Sequence, residues 1–197
     1  MNKNITTYLI SKLQSAKNIY TKTQQLHLPI IKMKQTHSNN IKLITTTPTT
    51  TLTSISNTDC LITNKKHIGL SVKFADCMPI VIYHPKPYLA VIHAGRKGTE
   101  KKILQQTIIY LQQLCKSSKQ FDIWFGPHIC ETCFEINKKT NSHYNLIKEN
   151  IRQLKQQLNL THNNLTIVQN CTKCQNNYYS YRGDNKTKKR NYLICHL

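Results

Sequence analysis

No stretch of 18 or more apolar residues occurs in this sequence, which argues against a membrane-spanning helix. The opening "MNKNITTYLISKLQSAKNIY" lacks the apolar core and small-residue cleavage site of a secretory leader, so a cytoplasmic protein is expected. Arginine is scarce: Arg96, Arg152, Arg182 and Arg190 stand among 28 basic residues. A dedicated nucleic-acid reader favours arginine, whose planar fork grips phosphates and base edges. The lysines are scattered, with short clusters only at 96–102 ("RKGTEKK") and 186–190 ("KTKKR"). The formal charge of +20 therefore reads chiefly as a bias toward lysine and asparagine. It implies weak, nonspecific attraction to nucleic acid and no dedicated site for it. No internal repeat is visible.

What is present is enough for one domain. The 197 residues can bury a substantial core, and the 39% hydrophobic content is gathered into short runs. Residues 4 to 26 carry apolar positions at Ile5, Leu9, Leu13 and Ile19 and are expected to be helical. The threonine-rich stretch 45–57, with Pro48, reads as a loop with some extended structure. From residue 68 the pattern sharpens. "IGLSVKF", "PIVIYH" and "YLAVIH" are β-branched-rich strands divided by "ADC" and by the turn "PKP". A helix follows from 99 to 116, with Ile103, Thr107, Ile108, Leu111 and Cys115 on one face and Thr99 as its expected N-cap. "FDIWFGP" reads as a strand, and 143–160 as an amphipathic helix with Ile147, Ile151, Leu154 and Leu158 on its apolar face. "NLTIVQ" and "RNYLICHL" read as closing strands. The alternation defines a single α/β domain.

Eight cysteines in a chain without an export signal are expected to be reduced, which turns attention to metal ligation or thiolate chemistry. Three constellations stand out. Cys130-x-x-Cys133 and Cys171-x-x-Cys174 imitate a four-thiolate zinc ribbon. However, the step of 38 residues from Cys133 to Cys171 is long, and neither pair carries a knuckle glycine. Cys77, His93 and the upstream His37 offer a thiolate and two imidazoles, a set that suits zinc or copper with one position open. The same Cys and His could form a nucleophile–base pair, or Cys77 could simply be a small buried hydrophobe. Finally, "HAGRKGTEKK" places Gly95, Arg96, Lys97 and Gly98 after a strand, where an anion such as phosphate can bind.

Taken in order, six segments resemble one family, the bacterial laccase-domain proteins. These are also called polyphenol oxidase-like proteins, peptidoglycan editing factor or purine nucleoside phosphorylase. "KQTHS" (34–38) is similar to the family's Q-x-H-G, and "NTDCLIT" (57–63) to its A-D-A-L-V-T. "FADCMPIVIYHP" (74–85) resembles A-D-C-x-P-[IV], and "AVIHAGRKG" (90–98) resembles A-H-A-G-W-R-G. "FGPHICETCFEI" (125–136) and "CTKCQNNYYSYRGDNKTKKRNYLI" (171–194) follow the family's G-P-x-I-x-x-x-C-[YF]-E-V and C-T…S-Y-R-R-D elements. The resemblance implies a mixed-sheet α/β sandwich spanning 1–197, with a shortened or divergent region over about 1–34. It implies that His37, Cys77 and His93 hold the metal, zinc or sometimes copper, and carry catalysis. It places Asp59, Cys133 and Arg182 near the substrate, and leaves Cys130 and Cys174 outside the family pattern.

The implied activity is phosphorolysis of adenosine, inosine and methylthioadenosine, with adenosine deamination alongside. Phosphate would lie against Gly95, Arg96, Lys97 and Gly98. The partners are then a nucleoside and phosphate, for a monomer or homodimer. Two alternatives are a hydrolase that edits peptidoglycan precursors with Cys77 as nucleophile, and a basic binding protein that has lost catalysis. The departures bear on this choice. Arg96 and Lys97 replace the family's Trp-Arg pair, Gly183 replaces its second arginine, and its N-terminal T-x-R-x-G-G-x-S element is absent.

Overall fold

The β-branched runs around "PIVIYH" and "YLAVIH" form the middle of a six-stranded sheet. The computed structural model describes residues 5–10 and 27–197. In chain order the strands are β1 (Thr6–Ile10), β2 (Ile30–Lys34), β3 (Ile41–Ile44), β4 (Leu52–Ser56), β5 (Cys60–Thr63), β6 (Gly69–Phe74) and β7 (Met78–His84). They continue with β8 (Tyr88–Ala94), β9 (Asp122–Phe125), β10 (Glu135–Asn137), β11 (Ser142–His143), β12 (Asn164–Ile167) and β13 (Asn191–His196). The helices are α1 (Arg96–Glu100), α2 (Ile103–Cys115) and α3 (Leu146–Gln157). One sheet has the order β12-β9-β7-β8-β5-β3 and the other β1-β13-β6-β2-β4, both with parallel and antiparallel pairs. This is the mixed-sheet α/β sandwich expected from the family resemblance.

Strand parity sorts the core into two layers, because successive side chains point to opposite faces. Leu61, Val81, Leu89 and Val91 pack with Ile31, Met33, Leu70, Val72 and Phe74 between the sheets. Ile62, Ile80, Ile82, Ala90 and Ile92 face the other way, onto Leu104, Ile108, Leu111 and Leu154 of the helices. The parity also aims the chemistry. His93 shares the inter-sheet face with Leu89 and Val91, at the end of β8, and Asp59 shares a face with Leu61 at the start of β5. The register sets Pro79 opposite His93, so Cys77, just before β7, emerges beside that histidine.

Two expectations change. Thr6–Ile10 is a strand rather than the start of a helix, because β13 offers an unpaired edge that takes all five residues in antiparallel register. Tertiary pairing overrides a weak local period. The rest of that expected helix, residues 11–26, lies outside the described residues. Thr99 is not an N-cap: α1 starts earlier, at Arg96, with Gly95 before it. The chain then turns through Lys102 at φ 62° before α2. Thr99 instead gives its carbonyl to Gln153 Nε2 at 2.7 Å and its hydroxyl oxygen to Asn150 Nδ2 at 3.3 Å, which docks α1 on α3. The other helical faces follow the sequence, with Ile103, Thr107, Ile108, Leu111 and Cys115 all buried.

Phe125 tests the helix-side core. It is fully buried between its β7 and β12 neighbours. Phe125→Ala is expected to lower unfolding stability by about 3–5 kcal/mol through lost burial and a residual cavity. Denaturant melts would show this, and a loss under about 1 kcal/mol would mean that the core collapses around the gap.

Candidate metal centre

A buried carboxylate organises the site. Asp59 is fully buried and accepts hydrogen bonds from the backbone N–H groups of Thr36, His37 and Ser38 at 3.0, 3.1 and 2.8 Å. Ser38 Oγ adds a fourth at 2.7 Å. The same carboxylate meets His93 Nδ1 at 2.9 Å. One side chain thus folds the 36–38 loop and fixes the ring of His93, aiming Nε2 of that histidine at Cys77. His37 takes a left-handed backbone (φ 58°) that the three amide bonds hold in place.

Cys77 completes the group. Its sulfur lies 3.8 Å from His37 Nε2, and the His37 and His93 rings meet edge to face with centroids 4.9 Å apart. One donor atom from each of the three residues falls within 4.8 Å of the others. Asp76 aims Cys77 from a backbone φ of 86°, an unusual conformation for a residue with a Cβ. It is held there by Thr172 Oγ1 at 2.9 Å, Ser180 Oγ at 2.6 Å and the Arg182 N–H at 2.8 Å, all donating to its carboxylate. Gly95 closes the back: a Cβ there would stand 2.6 Å from Cys77 Sγ and 3.2 Å from His37 Cδ2.

These residues fit a transition metal. Two imidazoles and a thiolate in a tight triangle form a three-ligand site with an open position, and the Asp59–His93 pair is the outer-shell carboxylate–histidine arrangement that orients metal-bound rings. The electrostatics agree. Burial opposes ionisation of Cys77, but the charge of His93 and hydrogen bonds from His37 and His93 outweigh it and bring the thiol down to about 6. Burial likewise opposes protonation of His93, yet Cys77 and Asp59 lift it to about 9. Burial works against the Asp59 charge too, and the bonds from His93, Ser38 and Thr36 still hold it well below the usual carboxylate range. Without metal, these opposed shifts favour a thiolate–imidazolium pair of Cys77 and His93 near neutral pH. A metal must displace the proton of His93, so its binding strengthens as pH rises.

Above this triangle lies a cleft of about 610 Å³. Lys73, Arg96, Lys97, Arg182 and Arg190 line it with positive charge, while Phe134 and Tyr181 supply aromatic faces. Arg182 sits over the Phe134 ring, 4.8 Å from its centroid, and its guanidinium also donates to the Glu135 carbonyl. Of the residues expected near substrate, Arg182, Arg96 and Lys97 line this cleft with the three metal-ligand candidates. Others lie elsewhere. Asp59 stands behind His93, Gly98 is buried against the Ser38 carbonyl, and Gly95 serves close packing on Cys77. Cys133 turns its sulfur toward Cys174 at 3.5 Å. Sequence reasoning passed over Asp76, although it stands inside the quoted "ADC", because nothing local shows its partners about 100 residues away.

A mixed-sheet sandwich with a His-Cys-His triangle at the end of its central strands defines an α/β protein with a candidate metal centre. The family model described as "Multi-copper polyphenol oxidoreductase laccase" matches residues 11–145, and the chain belongs to that family. It is 30% identical over 152 residues to "Purine nucleoside phosphorylase Cj1217c" of Campylobacter jejuni, covering 69% of this chain and 66% of that protein. It is 29% identical over 153 residues to "Purine nucleoside phosphorylase CA_C1699" of Clostridium acetobutylicum, covering 67% and 64%. "Adenosine deaminase RL5" of an unknown prokaryotic organism is 30% identical over 102 residues, 47% of this chain and 38% of that one. The chain thus spans just under two thirds of the length of the first two relatives. In fold it matches the crystal structure of YlmD from Geobacillus stearothermophilus with a TM-score of 0.81 at 18% identity, covering 98% of this chain and 92% of the other.

The depressed thiol gives a direct check. In metal-free protein, alkylation of Cys77, followed peptide by peptide in a mass spectrometer, should reach half its plateau rate near pH 6. A profile rising only around the ordinary thiol value of about 8.5 would contradict the thiolate–imidazolium pair.

Proposed function

We propose that the protein is a metal-dependent purine nucleoside phosphorylase acting on adenosine, inosine or methylthioadenosine. The observation that carries the reading is the cleft itself: five cations and two aromatic faces converge above the His37–Cys77–His93 triangle. Cationic walls suit inorganic phosphate, and Phe134 and Tyr181 suit a flat purine. The names of the relatives support the same substrate class. Zinc, with copper as the other candidate, would be held by His37, Cys77 and His93 and would supply Lewis-acid polarisation of a substrate group.

The chain's own residues do the rest. Arg96 and Lys97 neutralise the incoming phosphate at the cleft wall. Arg182, braced on Phe134 and tied back to Asp76 through its backbone, adds a third positive group. In the reaction a phosphate oxygen bonds to the sugar C1′ as the bond from C1′ to the purine nitrogen breaks; that nitrogen takes up a proton from phosphate or water, giving the sugar 1-phosphate and the free base. Preset cations favour this step because they require no reorganisation as the charges move. Deamination of adenosine in the same cleft is the finer companion activity, supported by the name of one relative.

A specific feature favours a second reading. Cys77, His93 and Asp59 stand in the order of a nucleophile, base and orienting carboxylate, with the thiol lowered to about 6. A hydrolase acting on an amide, such as a peptidoglycan precursor link, would use that set without metal. Zinc that survives dialysis in the wild type and is lost from Cys77→Ala separates the two, since a metal-bound sulfur is already committed.

Purified, zinc-loaded protein should release base from inosine or adenosine only when phosphate is supplied, and Cys77→Ala should abolish release together with the metal held at the His37–Cys77–His93 triangle. Metal-loaded protein that releases no base would overturn the reading. Lys97→Ala should raise the KM for phosphate about tenfold with a smaller change for nucleoside, as expected for loss of one charge-assisted contact. An unchanged phosphate KM would remove Lys97 from the site.

A further inference from the structure

Two Cys-x-x-Cys pairs lie outside the centre just described, and the fold brings them together. Cys130 precedes a 3-10 turn at Glu131–Cys133, and Cys171 and Cys174 bracket a turn before the Tyr178–Arg182 segment. A parallel bridge between His128 and Cys171 fixes the two segments side by side. It is made by His128 N–H to the Asn170 carbonyl at 3.2 Å and Thr172 N–H to the His128 carbonyl at 3.0 Å. The 38-residue separation is long because it contains β10, β11, α3 and β12, and the bridge cancels it in space. Cys130 and Cys174, though outside the family pattern, thus stand beside Cys133 and Cys171.

We propose that Cys130, Cys133, Cys171 and Cys174 form a second metal site, a tetrahedral four-thiolate site for a divalent thiophilic cation of the zinc class. One sulfur from each residue lies within 4.8 Å of the other three. Cys174 Sγ stands 4.0 Å from Cys130 Sγ and 3.5 Å from Cys133 Sγ. A regular tetrahedron with zinc–sulfur bonds of about 2.3 Å has sulfur–sulfur edges of about 3.8 Å, so the group brackets the required spacing. The Cys130 N–H donates to Cys171 Sγ at 3.3 Å, an amide–sulfur bond that strengthens when the sulfur is a thiolate.

The missing knuckle glycine is no obstacle. No residue from 130 to 134 or from 171 to 175 takes a positive φ, so neither turn needs one. Binding requires no redox partner: the four thiols give up their protons to solvent and the sulfurs bond to the cation. All eight cysteines are free, so no disulfide competes for these sulfurs in the structure.

The site has a mechanical consequence. Phe134 follows Cys133 directly and lines the catalytic cleft, where Arg182 rests on it. On the other side, Thr172 lies between Cys171 and Cys174 in sequence and donates to Asp76, the residue that aims Cys77. A cation held by the four sulfurs would clamp both segments and so fix one wall of the cleft.

Zinc per chain, measured on protein purified anaerobically under reducing conditions, tests the assignment. Wild type should carry one more equivalent than Cys130→Ser/Cys174→Ser, and that variant should keep the zinc that His37→Ala/His93→Ala loses. Cobalt titration of metal-free wild type covers the case in which the cysteine variant fails to fold. Intense visible bands with strong thiolate-to-cobalt charge transfer, retained in His37→Ala/His93→Ala, are expected. Equal zinc in wild type and Cys130→Ser/Cys174→Ser would overturn the site. So would the absence of a tetrathiolate cobalt spectrum.

Discussion

The site depends on one buried negative charge. Asp59 has no exposure to solvent, and a carboxylate in that position is costly unless every lone pair is used. Here the cost is met by three amide N–H groups, a serine hydroxyl and the ring of His93. Those partners come from two segments far apart in sequence, the 36–38 loop and the end of β8. Their convergence on one carboxylate brings the two histidines together.

The second buried carboxylate does for the thiol what Asp59 does for the imidazoles. Asp76 draws Thr172, Ser180 and the Arg182 amide onto the residue next to Cys77. The Cys77 sulfur, the cationic wall and the cysteine-rich turn are thereby linked through one side chain. Glycine is needed most sharply at Gly95, where any Cβ would collide with the sulfur. Elsewhere in the described residues the left-handed backbone positions fall on His, Asn, Asp, Lys and Gln, in keeping with a chain that has only five glycines.

Much of this was legible in the sequence, for identifiable reasons. β6, β7 and β8 are continuous apolar runs with proline-marked turns, and α2 and α3 carry a clear helical period, so their types follow from local pattern. His37, Cys77 and His93 could be named because they sit in ordered motifs of the family. β1 was missed because its strand character comes from the edge of β13, which no local window contains. The four-cysteine cluster was set aside on spacing, and spacing is a poor guide when a strand bridge such as His128 to Cys171 closes the distance. Asp59 was named as a substrate neighbour, and only the structure puts it behind the metal-facing ring.

These placements support a division of labour in the molecule. In the proposed scheme buried carboxylates set the ligands, exposed cations meet the anionic substrate, and a cysteine cluster braces the wall between them. The first of these is the claim on which the others rest. It is tested most directly by the zinc affinity of Asp59→Asn, measured by chelator competition in a Cys130→Ser/Cys174→Ser background. If Asp59 orients His93 and the His37 loop, affinity should fall about 10–100-fold while the fold is retained, as for loss of an outer-shell partner. An Asp59→Asn protein that folds and binds zinc as tightly as its parent would contradict the account.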